Sequence, residues 1–135
     1  MIGLDTNVLV RYLAQDDARQ SATATQLIET RLSDRSPGFI SLVVLVEVCW
    51  VLERLYGATR TEIGQTVEDL LATPTFHVQQ REAVREAALK LTAKKAGKAG
   101  FADLLIAQIA LDAGCTSVVS FDKGAVRHAG MSLLA

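Results

Sequence analysis

Four acidic residues of this chain stand where an α/β protein usually does its polar chemistry. Asp5 follows the apolar run Met1-Ile2-Gly3-Leu4, and Asp122 follows Ser117-Val118-Val119-Ser120-Phe121, while Glu47 and Asp103 fall in the early turns of two apolar helical segments. In an open parallel sheet, ligands bind beyond the carboxyl ends of the strands, so all four side chains are expected at one edge. Carboxylates gathered in a partly dry pocket repel one another and raise each other's pKa, so a cluster that stays ionised calls for divalent cations. Oxygen ligands without Cys or clustered His suit Mg²⁺ or Mn²⁺ rather than zinc. A cation held this way can activate a water for in-line attack on phosphorus and neutralise charge on the leaving oxygen. Thr6, Asn7 and Ser120 are placed to hydrogen-bond the carboxylates, ordered water or a phosphate around such a centre.

Each acid also has a plainer, local reading. Asp5 can cap the helix that follows it, and Asp103, in a first helical turn, complements the helix dipole. Glu47 resists this treatment. It is the only charge between Phe39 and Leu52, and a lone carboxylate on an almost wholly apolar helix needs a partner. His77, alone among strand hydrophobes, reads as structural. Cys49 and Cys115 belong to no CxxC pair or Cys/His cluster and read as small buried hydrophobes.

The elements that must position these residues alternate between strand and helix. A helix carrying Val8, Leu9, Tyr12 and Leu13 follows Asp5. After Gln15-Asp16-Asp17 a surface helix is expected over residues 18–35, with Leu27, Ile28 and Leu32 facing inward and Arg19, Gln26, Glu29 and Arg31 outward. Ser36-Pro37-Gly38 ends it. A strand of two or three residues then leads into a buried helix between the cap Ser41 and Gly57. Thr59 or Thr61 before Glu62 opens a capping-box helix that breaks at Thr73-Pro74. Phe76-His77-Val78 is a short strand, and residues 81–95 form a helix with Val84, Ala87, Ala88 and Leu91 on one face. Residues 101–114, apolar on nearly every side, predict a central buried helix. Ser117 to Phe121 and Met131 to Leu134 are the last strands, with Asp122-Lys123-Gly124 a turn between them. The pattern gives one α/β domain over residues 1–135 with a mostly parallel sheet.

A formal net charge of −1 excludes nucleic-acid binding through bulk positive charge; any such binding must be local or metal-assisted. Arg11, Lys94, Lys98 and Arg127 are the candidate phosphate contacts, although the Lys94-to-Gly100 stretch also reads as a solvated loop. No signal-peptide pattern and no bilayer-length apolar run occurs, so a soluble, cytoplasmic protein is expected.

At these residues the sequence resembles the PIN-domain ribonucleases and, within them, the VapC-type toxins of prokaryotic toxin–antitoxin pairs. The resemblance rests on Leu4-Asp5-Thr6-Asn7-Val8-Leu9-Val10-Arg11-Tyr12-Leu13, on Ile40-Ser41 through Val46-Glu47-Val48, on Phe101-Ala102-Asp103-Leu104-Leu105-Ile106-Ala107 and on Ser120-Phe121-Asp122. Each motif is weak alone; four in the family's order and spacing are specific. The resemblance implies a three-layer α/β/α domain with a central, mostly parallel sheet of four to five short strands. It implies that Asp5, Glu47, Asp103 and Asp122 form the acidic quartet, with Asp5 and Asp103 as the firmest metal ligands. Glu47 and Asp122 would complete the site or position water, and Thr6 and Ser120 match its supporting hydroxyls. It further implies Mg²⁺- or Mn²⁺-dependent endonucleolytic cleavage of RNA, a homodimer, and inhibition by a cognate antitoxin protein. The visible departure is Leu104, where the family commonly has Ala.

Two other readings stay open at this level. Phosphoaspartyl phosphotransferases also place an Asp after the first strand, with a Ser and a Lys nearby, and Ser120 and Lys123 could serve. Against this, Asn7 stands where such an enzyme wants a second Asp, and Glu47 is left unexplained. The domain could also be a catalytically silent RNA- or protein-interaction module whose acids are only caps.

Overall fold

The computed structural model describes residues 1–93 and 97–134. Strand β1 (Ile2–Gly3) leads into α1 (Thr6–Ala14), and α2 (Ala18–Gln26) continues directly as a π-helical turn (Leu27–Arg31). Then follow β2 (Gly38–Ile40), α3 (Leu42–Tyr56), α4 (Arg60–Ala72), β3 (Phe76–Val78), α5 (Arg81–Thr92) and α6 (Phe101–Asp112). The chain closes with β4 (Val119–Ser120), α7 (Lys123–His128) and β5 (Ser132–Leu133). Helices and short parallel strands assemble in the expected three-layer α/β/α arrangement.

Among the described residues five strands form and all are parallel, as expected, but their hydrogen bonds divide them into two ladders. One has the order β1-β2-β3, with Gly3 opposite Phe39 and Ile40 opposite Val78; the other pairs β4 with β5, Val119 opposite Ser132. The expectation of one sheet of four to five strands is corrected accordingly. Register is enforced by a buried face, and β1, β4 and β5 are only two residues long with Ile2, Val119 and Leu133 exposed, so little ties β4 to β1. Gly38 allows the tight entry to β2: a Cβ there would stand 2.7 Å from Leu4 Cδ1 and 2.8 Å from Leu32 Cδ1.

The local sequence explains the helix ends. Asp5, Asp17, Ser41 and Thr59 cap α1 to α4, each side chain accepting from a backbone N–H, and Thr59 with Glu62 completes the predicted capping box. Gly57 at φ 65° closes α3. The helical stretch after Asp17 ends at Arg31, four residues before the predicted 35, because Leu32 turns extended to bury its side chain in the core. Asp122 opens a true helix, α7, where only a turn was expected; its carboxylate satisfies the N–H groups of both Gly124 and Ala125.

One core runs from Leu4 to Leu105, with Leu9, Ile40, Leu45, Val48, Ile63, Val67 and Val84 wholly inaccessible. Two of the apolar helices bury less than their sequences suggest. Helix α3 buries the stripe Leu45, Val48, Cys49 and Leu52, while Val43 is 79% and Trp50 53% exposed; α6 likewise leaves Ile106 and Leu111 open. An apolar cleft between them, lined by Val46, Trp50, Leu105 and Ile109, explains this second apolar face. Cys49 is buried as expected, and burial with the Glu53 charge pushes its thiol up to about 12, so it is inert. Cys115 is exposed, contrary to expectation, because α6 stops at Asp112 and Gly114 at φ 91° swings the chain away. His77 stacks on Phe39 at 5.9 Å, a structural role.

Candidate active site

The site begins with β1, which ends at Gly3 and delivers Asp5 to the head of α1. An extended backbone at Asp5 (φ −81°, ψ 159°) lets its Oδ1 accept the Thr6 N–H at 2.9 Å. That bond leaves Oδ2 with no hydrogen bond among the described residues. Thr6 is 5% exposed, and its hydroxyl donates across the molecule to Glu47 Oε1 on α3. Glu47 therefore has the partner its sequence context demanded, but its setting differs from expectation. It projects from the open side of α3 as an exposed residue, because the buried stripe of that helix lies on the opposite side.

A second group comprises Asp103 of α6 and, on the β4–α7 connection, Asp122 and Ser120. Asp103 lies in the first turn of α6, half-buried; desolvation and, secondarily, the Asp122 charge raise its carboxyl above the ordinary carboxylate range. Asp122 caps α7, Oδ1 taking the Gly124 N–H at 2.8 Å and the Ala125 N–H at 3.4 Å, while its own N–H donates to Ser120 Oγ at 3.0 Å. Here too Oδ2 accepts none of these bonds. Capping thus occupies Oδ1 of each of these two carboxylates.

The structure therefore brings the predicted acids together in two groups: Asp5, Thr6 and Glu47, and Asp103, Asp122 and Ser120. Among the described residues, no three His, Cys, Asp or Glu side chains stand within reach of one metal ion. Mutual repulsion between carboxylates opposes a tighter gathering; at Asp103 the Asp122 charge adds to desolvation, the larger cause, in raising the carboxyl. The donor chemistry itself fits a hard divalent cation, since every candidate ligand is a carboxylate oxygen and none is sulfur or imidazole.

The predicted phosphate contacts are dispersed. Arg11 is held on α1 by Gln20 (2.8 Å), Asp16 (3.2 Å) and the Tyr56 hydroxyl (3.4 Å). Lys98 lies exposed in the turn before α6 and Arg127 in the last turn of α7. Lys94 lies outside the described residues. Asn7 is exposed and opens onto a groove of about 840 Å³ between α1, α2 and the π-helical turn, which Arg11, Arg19 and Arg31 also line. Sequence reading missed Arg19 and Arg31 because, on an amphipathic helix, both count as solvated polar positions. The available signal was three arginines on successive helical elements after Asp5.

No helix among the described residues is long and apolar enough to cross a membrane. No curated protein matches the chain individually. A family model, PIN domain, matches residues 2–131, which takes in all four acids and strands β1 to β4. On a match of that extent, the chain belongs to the PIN-domain family.

Proposed function

We propose that the protein is a metal-dependent endoribonuclease that hydrolyses RNA phosphodiester bonds, and that it is the VapC-type toxin of a type II toxin–antitoxin pair. PIN domains are typically nucleases and generally use divalent metal ions, which supports hydrolase chemistry here. The observation that carries the reading to this site is Asp103, a half-buried carboxyl set near the charge of Asp122 at a helix head, an arrangement whose electrostatic cost a bound cation would relieve.

Asp5, Glu47, Asp103 and Asp122 would hold Mg²⁺ or Mn²⁺, which when bound supplies Lewis acidity at the attacked phosphorus. The chain's own groups do the rest. Thr6 orients Glu47, and Ser120 fixes the backbone at Asp122. Asn7, whose own N–H has no hydrogen bond among the described residues at the start of α1, where the helix dipole favours negative charge, receives a phosphate. Arg11, Lys94, Lys98 and Arg127 neutralise neighbouring phosphates. The apolar cleft bearing Trp50 and Ile106 supports a homodimer that covers it, and a cognate antitoxin in the cytoplasm completes the reading.

A second reading has its own observation: Asp5 and Asp122 both cap helices, as they would in a silent interaction module. Asn caps as well as Asp, so Asp5→Asn separates charge from capping. Cleavage of a mixed RNA pool is expected from wild type with Mg²⁺ or Mn²⁺, and is expected to vanish with EDTA and in Asp5→Asn while the thermal midpoint holds or rises. Full cleavage by carefully purified Asp5→Asn would end the nuclease assignment at this site.

A further inference from the structure

The groove beside the acids has a built scaffold. Gln15, at φ 55° in the left-handed region, turns the chain between α1 and α2 and clips them with Nε2 donating to Tyr12 O at 2.7 Å and Thr25 Oγ1 at 3.1 Å. Buried Ser21 adds a bond to Arg11 O at 2.8 Å. The far wall is the π-helical turn, a rare geometry that supplies Leu27 and Arg31 to the lining. The charged residues of the lining are all arginine, and no acid or aromatic ring joins them among the described residues. Among the described residues Arg19 and Arg31 make no ion pair, whereas Arg11 is aimed by Gln20 and Asp16.

The spacing identifies the ligand class. Arg19 and Arg31 are 12 residues apart on one continuous helical run, roughly 18 Å at the helical rise, too far to serve one phosphate. Cations spread along a groove that opens at Asn7, two residues from Asp5, match a polyanion with regularly repeated charge. Without an aromatic ring to stack a base, the groove reads backbone and not sequence.

We propose that this groove is a phosphate track for single-stranded RNA, in which Arg11, Arg19 and Arg31 hold the strand flanking the phosphate at the acidic site. The proposal rests on the ribonuclease reading for the identity of the strand. It makes the groove a source of affinity and places any sequence discrimination elsewhere on the surface. Arg11 exchanges part of its bonding to Asp16 for phosphate, and Arg19 and Arg31 bind directly.

The test is fluorescence anisotropy of a labelled mixed-sequence twelve-nucleotide RNA, with EDTA present so that no cleavage intervenes. Arg19→Glu/Arg31→Glu is compared with wild type and with Arg54→Glu/Arg85→Glu, which changes net charge equally on other surfaces. The groove variant is expected to bind at least about tenfold more weakly, with a log–log salt slope shallower by about 1.4, the value for two single-strand phosphates. The control variant is expected to bind as wild type. Equal loss in the control would reduce the effect to net charge and overturn the track, as would unchanged affinity and slope in the groove variant. A groove variant that loses an oligoglutamate peptide but holds RNA would assign the groove to an acidic protein segment, again against the proposal. Cleavage by wild type with Mn²⁺ is read separately, so failure of the nuclease reading and failure of the track give different results.

Discussion

The chain from Leu4 to Leu105 and the segment after it are built to different standards. The first supplies the whole continuous core and the four side-chain caps of α1 to α4, and Thr6 is locked into it at 5% exposure. The second, with β4, α7 and β5, buries only Gln108, Ala125 and Met131 among its described residues, while Val119 is 59% and Phe121 76% exposed. The bonds that fix Asp122 all come from residues within four positions of it. The proposed site therefore joins a rigid group, Asp5 with Thr6 and Glu47, to Asp122 on a unit with little packing of its own. Segments with few buried apolar contacts open at low free energy, which makes the Asp122 side the adjustable half of the site.

The contrast breaks most directly through stability. Leu45→Ala, at a wholly inaccessible position of the first region, is expected to lower unfolding free energy by about 2–5 kcal/mol. Phe121→Ala, despite removing a larger side chain, is expected to change it by no more than about 0.5 kcal/mol. Chemical denaturation of the two variants checks this. If Phe121→Ala proves as damaging as Leu45→Ala, the segment is covered in solution and the two regions are equals.

The next largest effect concerns positioning. Thr6→Val keeps the shape but removes the donor to Glu47, and groups that orient metal ligands are worth about 10- to 100-fold in metal affinity or activity. Such a rise in the Mn²⁺ concentration needed for half-maximal cleavage is expected, with the thermal midpoint little changed. Ser120→Ala, whose hydroxyl accepts from the backbone of a more loosely held unit, is expected to do less. A larger effect at Ser120 would reverse the assignment of rigid and adjustable halves.

Much of this was readable in the residues, and what was not has a common cause. Asp5, Ser41, Thr59 and Gly57 fixed element ends correctly because caps and left-handed closures act locally. The link from Thr6 to Glu47 spans 41 positions, so the sequence showed only that Glu47 needed a partner and not which. The open sides of α3 and α6 were misread as core because apolar composition does not distinguish burial in the domain from an apolar surface cleft. Division of the strands into two ladders was hidden for the same reason: two-residue strands carry too little pattern to specify a neighbour. Asp122 looked like a turn residue because α7 is only six residues long and lacks a repeating apolar stripe.

The smallest expected effect tests how far local order, apart from burial, sustains the well-packed region. Glu62 reaches back to the Thr59 N–H at 3.0 Å, and that backbone bond, with the Thr59 side chain second, holds its carboxyl below the ordinary range. A carboxyl depressed on folding adds stability that is fully present above its unfolded pKa and is lost as pH falls through the folded value. Glu62→Gln preserves the box geometry but cannot titrate. The wild-type advantage in thermal midpoint over Glu62→Gln is therefore expected to be small at neutral pH and to shrink on acidification below pH about 4, the usual carboxylate range. An advantage that stays constant with pH would mean that the reciprocal bond is absent in solution. The start of α4 would then owe its order to the burial of Ile63 alone, and the first region would differ from the C-terminal unit in packing but not in capping.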